Sequence, residues 1–101
     1  MIIDITDAAV TLTDPDDCGR FHVRVPAGVP METIGGLLAA AGAGQLTGPD
    51  QVAVDVGWLR SSARDVASDW DDRFDKMLAF AGTKGWLTDD GAAVYGHITH
   101  N

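Results

Sequence analysis

Trp70, Phe74, Met77, Leu78 and Ala81 fall at i, i+4, i+7, i+8 and i+11, which sets them along one side of an α-helix. A stripe of that kind is stable only when a second apolar surface covers it, so the rest of the chain must supply one. Its alternating segments do so. Phe21, Val23 and Val25 alternate with His22 and Arg24 up to Pro26, and Val52, Val54 and Val56 alternate with Ala53 and Asp55. A period of two puts each apolar set on one face of a strand. Ile2 to Thr13, rich in Ile, Val and Thr, adds further strand, with Ile3 and Ile5 on odd positions and Ala8, Val10 and Leu12 on even ones. A strand changes face only through a bulge or turn, placed here at Thr6-Asp7. Asp14 to Gly19 supplies turn chemistry for a hairpin between that segment and the strand at Phe21, and Ala92 to Thr99 reads as a last strand after the Asp89-Asp90-Gly91 turn.

The helix carrying the stripe is expected from about Asp69 to Lys84, with Ser68 as N-cap, Asp71 completing a capping box, and Gly82 or Gly85 closing it. Asp69 and Arg73, and Asp72 and Lys76, are favourable i, i+4 pairs, whereas Asp71 and Asp75 repel. A shorter helix starts at Pro30, buries Met31, Ile34, Leu37, Leu38 and Ala41, and stops at Gly42. Gly35 and Gly36 weaken it by about 1 kcal/mol each relative to alanine. Ala43 to Asp50 reads as a connector, and Trp58 to Ala67 as a helical turn around Leu59 followed by a loop. The order is β-β-α-β-α-β. The expected fold is therefore α+β, a small two-layer sandwich of about four mainly antiparallel strands with two helices on one face, forming a single domain over 1–101.

A chain of 101 residues has room for one modest core, which argues against a deep cavity and a large cofactor; none is expected. Fifteen acidic against seven basic residues give a net charge of -8, which repels nucleic-acid backbones and anionic lipid and favours basic or neutral protein partners. No run of 18 apolar residues and no signal-peptide pattern is present, and Cys18 has no second cysteine to pair with, so a cytoplasmic, membrane-free location is expected.

The motifs that carry chemistry are incomplete. His97 and His100 are three apart, but on a strand their rings point to opposite faces, so no metal site is expected. Asp14 to Gly19 opens like a calcium loop and then fails, with Cys18 at position 5 and Val25 at position 12 where a bidentate Glu is required. Asp16 and Asp17 raise the pKa of Cys18 and argue against a nucleophile, with Arg20 the only local compensation. Gly42 to Gly48 lacks the lysine and glycine spacing of a phosphate loop. No catalytic residue is assigned.

What remains is surface. Trp58 and Trp86 lie at element ends beside Gly57 and Gly85, where tryptophan either closes a small core or anchors an interface. With the charged helix face of Asp69, Asp72, Arg73, Asp75 and Lys76 they make a candidate interaction surface. The first expectation is a non-catalytic acidic accessory module, a regulatory or neutralising partner of another protein or a homodimer. The alternative is a small-molecule-binding domain or small enzyme with a site near Tyr95 and His97, which share a strand face.

Overall fold

A computed structural model describes residues 1–6, 9–64 and 66–100, His100 by its backbone alone. It is a small α+β domain of six strands and three helices: β1 (Ile2–Ile5), β2 (Val10–Thr13), β3 (His22–Val25), α1 (Met31–Ala41), β4 (Gly44–Gly48), β5 (Gln51–Asp55), α2 (Val56–Ser62), α3 (Trp70–Thr83) and β6 (Ala93–His100). The strands form one sheet in the order β2-β1-β3-β6-β5-β4. Pairing is parallel between β1 and β3 and between β3 and β6, and antiparallel elsewhere.

This corrects the expected count of four strands and two helices and their β-β-α-β-α-β order; the sheet is mixed, with three of its five pairings antiparallel. The register change after Ile5 is a chain reversal, so Ile2 to Thr13 makes two strands, paired from Ile2↔Thr13 to Ile5↔Val10. Of Thr6-Asp7, where the change was placed, Asp7 lies outside the described residues. The hydroxyls of Thr11 and Thr13 donate across this pair to the carbonyls of Asp4 and Ile2. The Asp14–Gly19 segment does not close a hairpin. It carries the chain past β1, and β3 enters parallel on the far side with Ile3 opposite Val23. The expected connector contains β4, an edge strand turned back on β5. Val56 is the first residue of α2, because the Asp55 side chain accepts the Trp58 N–H at 2.7 Å and starts a helix there.

Alternation sorts the sheet as the sequence implies. Ile3, Ile5, Val23, Val25, Val52, Val54, Val94 and Ile98 face one side and are buried with Ile34 and Leu38 of α1, Leu59 of α2, and Trp70, Phe74 and Ala81 of α3 in one core. On the opposite face Arg24 grips Asp4 at 2.6 Å between neighbouring strands. Helix α1 touches both edge strands, β4 and β2, so the apolar face of the twisted sheet curls around it. Gly44, at φ 150°, lets β4 come this close: a Cβ there would stand 2.1 Å from the Ala53 carbonyl oxygen.

Helix α3 starts one residue later than expected. Its N-cap is Asp69, which makes no side-chain cap bond, so Ser68 and the capping box are not used. The Asp69 carboxylate instead accepts from Arg73 at 3.3 Å, while the Arg73 guanidinium also binds the Asp16 carboxylate at 2.6 Å and the Asp16 carbonyl. The Trp70 indole N–H donates to the Pro15 carbonyl at 2.6 Å, and the Ala67 N–H donates to Asp16. These bonds strap α3 to the β2–β3 loop. No helix of the described residues is long and apolar enough to cross a membrane.

Candidate functional site

Strand β3 is short, and its length creates an opening. It pairs only with the far end of β6, from Val23↔Ile98 to Val25↔His100, while β5 runs along β6 from Asp55↔Ala93 to Gln51↔His97. The β3 side of the first half of β6 is taken instead by the segment after α3: Leu87 bridges to Val94, and the Tyr95 N–H donates to the Trp86 carbonyl at 2.7 Å. Between the start of that segment, at Trp86, and the start of β3 lies a cleft of about 430 Å³, lined by Cys18, Phe21, Met77, Phe80, Trp86, Tyr95 and their neighbours Gln51 and His97.

Local chemistry places each wall. Helix α3 ends in a Schellman motif: Gly85, at φ 76°, donates to the Gly82 carbonyl, and Trp86 donates to the Ala81 carbonyl at 2.8 Å. The reversal folds Trp86 back on its own helix, where its ring meets Phe80 edge-on at 5.9 Å. Across the cleft, Phe21 lies over Gly96; a Cβ on Gly96 would stand 3.2 Å from the Phe21 ring and 3.1 Å from Val23. The glycine thus admits the ring. Tyr95 and His97 alternate away from the buried Val94, Gly96 and Ile98 and reach the cleft at its side.

Trp86, Tyr95 and His97 are therefore brought together, and Phe21, Phe80, Met77 and Cys18 join them. Trp58 does not: it packs half-buried against the core from α2. The helix face is also less free than its sequence implies. Arg60 bonds Asp75 at 2.6 Å, lies 3.5 Å from Asp71 and stacks 4.8 Å over the Phe74 ring, so one guanidinium bridges the two repelling carboxylates. Arg73 is committed to Asp16 and Asp69, and the expected Asp72–Lys76 pair is absent among the described residues, both side chains being exposed. The His100 side chain, the other half of the histidine pair, lies outside the described residues.

Among the described residues that line the cleft, the one thiol is not activated. Burial pushes the Cys18 thiol up, Asp16 and Asp17 push the same way, and Arg73 and the N-terminal ammonium only oppose it, so the sulfur stays protonated at neutral pH. The thiol donates weakly to the Pro15 carbonyl, with Sγ 3.9 Å from the oxygen. His97 is exposed, with Nδ1 4.0 Å from Asp50. Among the described residues no group of three or more His, Cys, Asp or Glu side chains is placed to hold a metal ion.

A second cavity, of about 400 Å³, opens beyond the β5–β6 pair over Gly44, Ala53 and Ala93. Its two carboxylates are structural. Asp55 caps α2, and Asp90 accepts from the Thr88 hydroxyl and the Ala92 N–H, which hold it below the usual carboxylate range. Phe80 and Phe21 were legible as apolar residues but not as cleft walls, since nothing local in the sequence shows where β3 stops alongside β6. What fold and site define is a small α+β domain with an open aromatic cleft beside its central strand. No protein-family model matches the chain, and no match is found among curated proteins or solved structures.

Proposed function

We propose that the chain is a non-catalytic, acidic protein-interaction module whose contact surface centres on the Phe80–Trp86 rim of the cleft and extends to the exposed carboxylate of Asp72. One observation carries the reading: Phe80 and Trp86, 55% and 48% exposed, stand together at the cleft mouth, and they are the exposed large apolar side chains among the described residues. Covering such a pair removes apolar surface from water at about 25 cal/mol per Å², and aromatic residues around a pocket are the usual anchors of an interface. The net charge of -8 selects a basic partner and speeds its approach.

The test is photocrosslinking in the host cell with a benzophenone amino acid at position 86 and, as control, at Thr47 on the β4 edge. A discrete protein adduct from position 86 alone, reduced by Asp72→Lys, is the expected result; an adduct of twice the chain mass identifies the partner as a second copy. No protein adduct from position 86 overturns the reading.

A second reading is a small-molecule-binding domain or small enzyme using Tyr95 and His97. It is favoured by their sharing one cleft whose volume falls in the range of small-ligand sites, about 300–1,000 Å³. A native mass spectrum of the protein from its host, carrying a small added mass that Trp86→Ala removes, supports it over the first.

A further inference from the structure

We propose that the cleft receives an arginine side chain from a basic segment of the partner, an assignment that rests on the interaction role above. Four aromatic rings, Phe21, Phe80, Trp86 and Tyr95, line the cleft, and the face of an aromatic ring attracts a cation. One of these rings already holds a cation: the Lys84 ammonium lies 5.5 Å over the Phe80 ring, although Lys84 is not itself a lining residue. None of the lining residues is a lysine or arginine, and among the described residues no cation stands over the Phe21, Trp86 or Tyr95 rings, which are left for an incoming guanidinium.

Charge at the mouth points the same way. Asp17 directly precedes the lining residues Cys18 and Gly19, and its side chain, about half exposed, reaches Arg20 only at 3.9 Å. Asp50 precedes the lining residue Gln51, stands 4.0 Å from His97 Nδ1 and is 63% exposed. The mouth thus lies between two solvated carboxylates, while the floor of Met77, Ala81 and Val94 is apolar.

That pattern separates arginine from other occupants. An apolar floor suits a three-carbon stem, the carboxylates and the Tyr95 hydroxyl suit a donor-rich head, and a planar, weakly hydrated guanidinium stacks on an indole where a compact ammonium stays in water. A neutral aromatic ligand would make no use of the two carboxylates.

The experiment follows the Trp86 indole N–H in the NMR spectrum, assigned by its loss in Trp86→Phe, while a capped Gly-Arg-Gly peptide is added. Capped peptides with citrulline, the neutral isostere, and with lysine serve as comparisons. A saturable shift in the millimolar range with arginine, at least about tenfold weaker with citrulline and with lysine, is expected. Phe80→Leu should weaken arginine binding severalfold while the Trp70 indole signal, set by its bond to Pro15, stays in place and reports an intact fold. Equal binding of citrulline or lysine, or no shift with arginine, overturns the assignment. Should that happen while the position-86 adduct persists, the interaction role stands and only the arginine falls; loss of both removes both.

Discussion

Gly96→Ala tests the packing that shapes the cleft. Gly96 is buried in β6 and has no unusual backbone angle, so the added methyl group brings no dihedral strain and its effect is one of space. The new carbon would stand 3.1 Å from Val23 Cγ2 and 3.2 Å from Phe21 Cε2, against a normal carbon contact of about 3.5–4.0 Å. Val23 is fully buried between β1 and β6 and has nowhere to go, whereas Phe21 is half-buried at the start of its strand and can swing outward. Overpacking of this size costs about 1–3 kcal/mol, and replacing a strand glycine by alanine returns about 0.5–1 kcal/mol of backbone entropy. The net loss is about 1 kcal/mol, a fall in Tm of about 4–8 °C for a domain this small. A thermal melt followed by circular dichroism reads it. The decisive comparison is a double-mutant cycle with Phe21→Ala: truncating the ring relieves one of the two close contacts, so the alanine at position 96 should cost less in that background, with a coupling of about 0.5–1 kcal/mol. A stabilised Gly96→Ala variant, or a cycle that closes with no coupling, would refute the view that Phe21 lies over the glycine.

Three further outcomes follow from the backbone and the charges. Gly85→Ala should cost about 1 kcal/mol because φ is 76°, whereas Gly36→Ala, on the open side of α1 with nothing within 4 Å of the new carbon, should add about 0.5–1 kcal/mol; opposite Tm shifts are the check. The Ala67 N–H and then Arg73 lower the pKa of Asp16, so its contribution is present above the unfolded carboxylate value and is lost as pH falls through the lower folded value; Asp16→Asn should flatten that part of the acid-stability profile. Because burial raises the Cys18 thiol, iodoacetamide at pH 8 should alkylate it more slowly than an unstructured cysteine peptide, and a faster reaction would contradict the protonated thiol described above.

Where a pattern was long enough to show a period, the sequence reading and the structure agree. The α3 stripe is one such case and the alternation of β3 is another, whereas in β5 Ala53 is buried beside Val52 and Val54, and Val56 has passed into α2. Gly42 and Gly85 close their helices with the left-handed turn that glycine favours. Elements that are short or depend on a distant partner were hidden. Helix α2 was legible only as a helical turn around Leu59, because two turns hold too little periodicity to set its bounds; β4 begins and ends in glycine and is a strand because β5 is there to pair with it. The parallel entry of β3 beside β1 is a long-range choice that the loop before it, rich in turn residues, does not announce. The cleft shows the same limit. Its tryptophan, tyrosine and histidine stood out by type, but Phe21 and Met77 look like ordinary core residues in the chain, and Phe80, off the α3 stripe, has its partners only in three dimensions.

The position of β6 governs how the sheet can be assembled. It is the last strand among the described residues, yet it lies between β3 and β5, so β2-β1-β3 and β5-β4 share no strand pairing until it arrives. The two halves can form locally, each through a short hairpin, but they become one sheet only when residues 93–100 thread the seam. Joining them is a closure over most of the chain, which makes folding slow for a domain of this length and delays it until β6 has been synthesised. A chain ended at Gly91 should keep both hairpin sequences and lose the cooperative unfolding transition.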